Sequence, residues 1–448
     1  LTYANLTETN LDGVDLSNKD LTGTILTGVD LSNKDLTGTI LTYANLTETN
    51  LDGVDLSNKD LTGTILTYAN LTGANLDGVD LSNKDLTGTI IKDIFNIKIS
   101  LKNPSNSNWL ASNEIQNLNV TRYDLTEGVQ YIATKEGILF ESKNNESRLV
   151  LDLNNDAQFP FYNGTLEGGF LGVASQNNLV YVSYTSQDIV KKEEADWQRD
   201  GLLSIVVDEY SENFSEVRNI IKIEGFEPTQ FGGNLLFDSL GRLYLSVGDG
   251  KSYDAQNLNL LRGKILRLDV SKLKLETEIV AYGIRNPWGV TIDSKDRMFI
   301  VQCGQHNNEA IYLLNDLYSD APVNLGWPVF EGSIKMKQDS LMFKEVLAPI
   351  FEYNNRPGCL TGGIYLNDIE LFLFTDFYGT IGLLKQQENG EWFLLHKYKK
   401  EDNPDSTSVE QSSLGIWGLG FDQKTKKIFI APKNLELEIL VEQVKLNQ

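Results

Sequence analysis

Leucine recurs at every fifth position from Leu1 to Leu86, as in LTYAN LTETN LDGVD LSNKD LTGTI, with polar residues and glycine filling most of the intervening places. A helix returns to one face about every 3.6 residues and a strand every 2, so neither keeps these leucines on one side. A square coil with one pentapeptide per side does. Eighteen pentapeptides make four and a half coils, a rod of roughly 22 Å at the inter-strand spacing. The block at 1–25 recurs unchanged at 41–65 and with two changes at 66–90, a sign of recent duplication.

After Ile91 the pattern changes to alternating apolar strands separated by Gly, Asn and Asp turns. EGGFLGVASQNNLVYVSYT, Glu167 to Thr185, reads as a glycine-led apolar strand, a polar turn and a second strand. It has echoes that begin at Gly128, Gly233, Gly289, Gly362 and Gly418, which makes six strand-turn-strand units. Most are followed by one more strand, such as KILRLDV from Lys264. Radial repetition of small sheets is the architecture this predicts. The expected fold is all-β: a coil of pentapeptides over 1–91 and a six-bladed β-propeller over 92–448.

Composition narrows the function. A net charge of -23 repels a nucleic-acid backbone and an anionic membrane surface. No apolar run approaches the roughly 20 residues of a membrane helix, so neither nucleic acid nor membrane insertion is expected. Leu1 in place of Met points to a processed or truncated chain. Two histidines leave little for a histidine metal centre or for Ser-His-Asp chemistry. Cys303 and Cys359 are too few for a disulfide framework; one bridge or two buried thiols both remain open. Asp249 in VGDG suits either a cation site or a plain Asp-Gly turn.

The leucine pattern resembles the pentapeptide-repeat family, which implies a right-handed quadrilateral β-helix with the leucines stacked inside. Lys19, Lys34, Lys59 and Lys84 stand where that family places a small inward residue, and distorted corners are the expectation. The phrases GGNLLFDSLGRLYLSVGDG (232–250), AQNLNLLRGKILRLDV (255–270), YGIRNPWGVTID (282–293), NLGWPVFEG (324–332) and LTGGIYL (360–366) resemble the glucose/sorbosone dehydrogenase family. That family includes soluble quinoprotein aldose dehydrogenases and hedgehog-interacting-protein-like propellers.

The resemblance implies pyrroloquinoline quinone (PQQ) held with a calcium ion over the central channel, and an aldose oxidised at C1. Such chemistry needs a base for the sugar hydroxyl, cations for the quinone carboxylates and a hard ion on its carbonyl oxygens. The family's histidine base falls on Gln176, and an amide cannot act as a base near neutrality. A second family histidine falls on Gln230. Arg285 and Asn286 match a pair that contacts the quinone; the same turn also serves to clamp two blades. Gly304 and Gln305 match the loop whose backbone carbonyls hold calcium, although Gln302 replaces an Asp there and Ala310 replaces one of two acids beside Glu309. The lysine expected after LFLFTD falls near Tyr378, and an Arg-Ile-Arg clamp falls on Gly415, Ile416 and Trp417. His306 follows the calcium loop, and His396 is expected between two strands, exposed.

These losses fall on the residues that chemistry needs, while the blade-forming phrases survive. The expectation is a non-catalytic structural or ligand-binding protein of a surface, coat or fibre type, which self-associates or binds another protein and has a sugar or glycan as a further candidate ligand. The alternative is a PQQ- and calcium-dependent aldose dehydrogenase. Calcium remains compatible with carbonyl ligation; PQQ loses its clamp. Family habit points to an extracellular, periplasmic or particle-surface location.

Overall fold

The computed structural model describes the chain apart from residues 33, 77–78, 80, 82–83, 91–94, 103–119, 125–129, 144–145, 165–166, 188–202, 273–274, 306–307, 337–344, 354–358, 378, 388–389, 399–417, 423–426, 432–434 and 444–448. Among the described residues of the repeat, parallel bridges join positions twenty apart, such as Asn5 to Ile25 and Asn45 to Ile65, so each coil holds four pentapeptides. Leu16 through Leu71 are stacked inside with almost no exposure. Each such burial stabilises the rod by about 1.5–3 kcal/mol. Among the described residues the third residue of each pentapeptide sits at positive φ, as at Tyr3 and Gly23, which is why glycine alternates with Asn, Glu and Tyr at this place.

The fully described corners, at Lys19 and Lys59, are not distorted, contrary to the expectation. Lys34 Nζ donates to the Leu11 carbonyl at 2.7 Å, and Lys59 Nζ to the carbonyls of Leu36 at 2.7 Å and Thr39 at 3.1 Å. Lys84 does the same to Leu61 and Thr64. Thr39 and Thr49 use their hydroxyls at the equivalent place, on Leu16 and Leu26. The lysine reaches the same carbonyl with a longer stem, and the backbone turn closes normally, with Lys59 N on the Leu56 carbonyl at 3.1 Å.

Among the described residues five blades follow in chain order, each with four antiparallel strands. Blade one comprises Val120–Asp124, Gln130–Thr134, Ile138–Lys143 and Glu146–Asp152; blade two Phe170–Gln176, Leu179–Ser186, Leu203–Ser211 and Val217–Phe226. Blade three comprises Gly232–Phe237, Leu243–Val247, Lys264–Asp269 and Glu276–Tyr282, and Val323–Asn324 adds to its outer edge in parallel. Blade four comprises Pro287–Ile292, Met298–Gln302, Glu309–Leu314 and Phe351–Tyr353; blade five Leu360–Leu366, Leu371–Asp376, Ile381–Gln386 and Trp392–Tyr398. His396 therefore lies within a strand rather than between two, because the run WFLLHKY continues through it.

Five of the six expected units thus build blades of consecutive strands. The unit from Gly418 instead joins a sheet drawn from two distant parts of the chain: Gly418–Asp422, Lys427–Ala431, Leu435–Gln443 and, on the outside, Phe95–Lys102. The first strands of neighbouring blades stand side by side around a central axis, and Gly418–Asp422 touches those of blades one and five. Glycine permits that approach: a Cβ on Gly172 would lie 2.2 Å from the Gly233 carbonyl oxygen, and one on Gly289 would lie 2.9 Å from Gly362 Cα. In all five blades the first strand carries a bulge near its start, between Val120 and Arg122, Phe170 and Gly172, Gly232 and Leu235, Pro287 and Gly289, and Leu360 and Gly362.

Candidate functional site

The starts of the first strands and the ends of the second strands share one face of the ring, and blades two to four bring buried polar groups together there. Glu167, just before blade two, accepts from Gln230 N at 2.5 Å, from the Thr229 hydroxyl at 2.8 Å and from Asn286 Nδ2 at 3.3 Å. One carboxylate therefore ties together the approaches to three blades. Asp249, at the end of the second strand of blade three, accepts from Trp327 Nε1 at 2.5 Å and from Lys251 N at 2.9 Å. Its own N–H donates to the Arg285 carbonyl at 2.8 Å.

Arg285 is the centre of this mouth. Its Nη1 donates to the carbonyls of Cys303 at 2.9 Å and Gly304 at 2.8 Å, and its guanidinium lies 5.5 Å from the centre of the Trp327 ring. The backbone N–H of Arg285 donates to Gln302 Oε1 at 2.9 Å, so Gln302 positions the arginine. Burial lowers the Arg285 pKa, and four carboxylates, Asp249, Glu167, Glu331 and Glu309, act against that lowering. Burial also pushes Asp249 up to about 6 and Glu309 up to about 7. Glu309 Oε2 accepts from Gly304 N at 3.2 Å and Leu360 N at 3.0 Å, and Glu331 accepts from Gln305 N at 2.5 Å. Cys303 and Cys359 form a disulfide with Cα atoms 5.0 Å apart, which joins blade four to the start of blade five. Their sulfurs and Glu309 lie close together, but joined sulfurs offer no thiolate to a metal.

The sequence-predicted residues divide. Gln230 reaches the mouth: it is buried, its φ is 58°, and its Oε1 accepts from Lys251 N at 3.3 Å. Gln176 does not. It pairs with Leu179 at the turn that ends the first strand of blade two, against Gly241 of blade three, roughly 20 Å along the strand from the Glu167 end. Arg285, Asn286, Gly304 and Gln305 belong to the mouth, and Gln305 Nε2 donates to the Tyr253 hydroxyl at 3.2 Å. Tyr378, Gly415, Ile416, Trp417 and His306 lie outside the described residues. Sequence reasoning missed the roles of Glu167, Glu331 and Trp327; the phrases EGGFLG and NLGWPVFEG contain all three, but only as unassigned letters.

A calcium ion on the Gly304 carbonyl and an anionic quinone above it do not fit these residues. The carbonyl already accepts a guanidinium proton, so a metal ion there would stand against a fixed positive charge. The arginine that would meet the quinone is committed to two carbonyls, and the acids around it repel a tricarboxylate.

A profile described as Glucose / Sorbosone dehydrogenase matches residues 131–364, and Pentapeptide repeats profiles match 4–42, 20–58, 44–83 and 60–93. The HIPL1 protein of Arabidopsis thaliana is 28% identical over 232 residues, which cover 40% of this chain and 31% of that protein. Aldose sugar dehydrogenase YliI of Escherichia coli (strain K12) is 29% identical over 112 residues, covering 22% of this chain and 29% of that one. The chain thus spans about a third of the length of the curated relatives it matches. A solved structure titled "glucose dehydrogenase" covers 78% of this chain and 100% of its own, with a TM-score of 0.55 at 15% identity, a likeness of fold alone. No helix among the described residues is long and apolar enough to cross a membrane.

Proposed function

The chain belongs to the glucose/sorbosone dehydrogenase family, and from that premise we propose that it is a non-catalytic binding or building module in which a dehydrogenase-type propeller has lost its cofactor site. The observation that carries the proposal is the double donation of Arg285 to Cys303 and Gly304. A cation fixed by the protein now stands where a metal ion would be recruited, and a glutamine, Gln230, stands in the mouth at a family histidine position. What remains is a surface suited to holding a partner: a protein, a second copy of the chain, or a glycan on the exposed Tyr253 beside Trp327.

Within this reading the rod (1–91) and the propeller (92–448) are two units, and the sheet that unites Phe95–Lys102 with Gly418–Gln443 is a sixth blade that closes the ring. The rod serves as a spacer or stacking contact, and the molecule works outside the cytoplasm or on a particle surface. Size-exclusion chromatography across protein concentration and salt tests self-association; monomers throughout would remove that part of the proposal.

A second reading has one specific support. Asp249, with its carboxyl near 6, is a buried acid whose ordinary working range includes neutrality, a property shared with catalytic bases. Under that reading the chain is a PQQ- and calcium-dependent aldose dehydrogenase. Aldoses and an electron-accepting dye, added to protein supplied with both cofactors, decide between the two: the proposal expects no sugar-dependent dye reduction, and turnover would establish the second reading.

A further inference from the structure

The coils of the rod place exposed tyrosines in register. Tyr3 and Tyr43 occupy the same corner of the square, forty residues and so two coils apart, roughly 9.5 Å at the inter-strand spacing. Tyr68 stands on the neighbouring corner, one coil beyond Glu48. The three side chains are 77%, 62% and 58% exposed. Each ring lies against a glycine of the next coil: a Cβ on Gly23, Gly63 or Gly88 would come within 2.5 Å of the ring of Tyr3, Tyr43 or Tyr68. The glycine seats the ring, and most of the tyrosine is left to solvent. Tyrosine holds this place at a φ of 59° or 60°, where a bulky side chain is strained and glycine is not. Neither burial nor backbone preference accounts for an aromatic residue here.

The surroundings narrow the partner. Between the two corners the middle of the face runs Asn5, Ile25, Asn45, Ile65, with no charge in it. Threonine hydroxyls line both corners, Thr22 with Thr42 at 3.3 Å and Thr47 with Thr67 at 3.2 Å. Over residues 1–68 the acids of this face are Glu8 and Glu48 on the second corner, and the net charge of the chain is -23, so an anionic partner is repelled. The face therefore offers aromatic rings at a fixed repeat with neutral hydrogen-bonding groups beside them. A pyranose ring has the matching character, with C–H groups for the negative face of an aromatic ring and hydroxyls at its rim. In an extended β-1,4-linked chain every second sugar presents the same face, at close to the two-coil spacing of Tyr3 and Tyr43. We propose that this face of the rod binds a neutral β-1,4-linked polysaccharide of the cellulose or chitin type, with Tyr3, Tyr43 and Tyr68 as stacking platforms. The site is separate from the mouth of the propeller and does not depend on the function proposed for it.

The test uses the full chain. A suspension of microcrystalline cellulose or of chitin should deplete it from solution in a saturable way, and starch granules, whose α-linked chains coil, should not. Tyr43→Ala combined with Tyr68→Ala should weaken the binding about tenfold. Tyr43→Phe combined with Tyr68→Phe should bind normally, because stacking does not use the hydroxyl. A footprint on the unaltered protein gives a readout that does not depend on how the variants fold: cellohexaose or chitohexaose should slow the nitration of Tyr3, Tyr43 and Tyr68, followed by mass spectrometry. Protection of Tyr253 alone would assign the sugar to the mouth and overturn the inference. Equal depletion of the alanine variant, or no depletion by either β-linked polymer, would overturn it as well.

Discussion

The guanidinium of Arg285 donates to the carbonyl oxygen of Gly304 at 2.8 Å, and this one contact changes what the mouth of the propeller can hold. Replacing Arg285 with Met removes the cation from among four carboxylates and leaves two carbonyls without their donor. A loss of about 3–5 kcal/mol in unfolding free energy at neutral pH is expected. Millimolar calcium should recover part of that loss in Arg285→Met and leave the unaltered protein unchanged, because only the variant presents acids and carbonyls without a resident cation. Urea unfolding with and without calcium checks both.

The buried carboxyl of Glu309 gives a signed pH dependence. Its folded pKa is raised to about 7 from an unfolded value of 4.5, so the folded state holds the proton more tightly. The stabilisation this supplies is complete below the unfolded value and is lost as pH rises through 7. Glu309→Gln keeps an oxygen for the N–H groups of Gly304 and Leu360 but does not titrate. Between pH 4 and 8 the variant should therefore gain on the unaltered protein by up to about 3 kcal/mol. Denaturation midpoints across that range measure the difference, and parallel profiles would refute it.

Glu167 and Gln176 lie at opposite ends of one glycine-led stretch and should behave differently. Glu167→Ala removes the acceptor of three donors and should cost about 2–3 kcal/mol. Gln176→Ala alters a half-buried turn and should stay within about 0.5 kcal/mol of the unaltered protein. Chemical unfolding of the two variants is sufficient.

In the rod, Lys59→Met leaves the carbonyls of Leu36 and Thr39 without the ammonium and should weaken that corner by about 1–3 kcal/mol. Lys59→Thr should retain most of the protection, since Thr39 and Thr49 make the equivalent bond. Hydrogen exchange of Leu56 and Lys59 amides reports the corner directly. Equal exchange in Lys59→Met and the unaltered protein would mean that the lysine is only a surface charge.

The sequence made the period-five rod legible because one residue type repeats with one spacing, and it made blades two to five legible because their first strands carry glycine where neighbouring backbones meet. The pairing of Phe95–Lys102 with Leu435–Gln443 was not visible, since no local pattern says which distant strand will close a sheet. The lysine corners misled because an inward lysine reads as a charge without a partner, although its stem spans to the carbonyl of the coil below. The site misled for a related reason. The resemblance puts both Gln176 and Gln230 at histidine positions, and spacing along a phrase does not tell which end of a strand faces the mouth. The disulfide was open in the sequence and is formed in the fold, where the loops of blades four and five bring Cys303 and Cys359 together.

We propose that Arg285 has taken the place of a recruited metal ion and closed the mouth to an anionic quinone. Titration of the full chain with pyrroloquinoline quinone at saturating calcium, followed by absorbance, tests it most directly. No saturable spectral change is expected at excess quinone. A tight, calcium-dependent change that is lost in Arg285→Met would contradict it, because it would mean that the guanidinium leaves the Cys303 and Gly304 carbonyls to hold the cofactor.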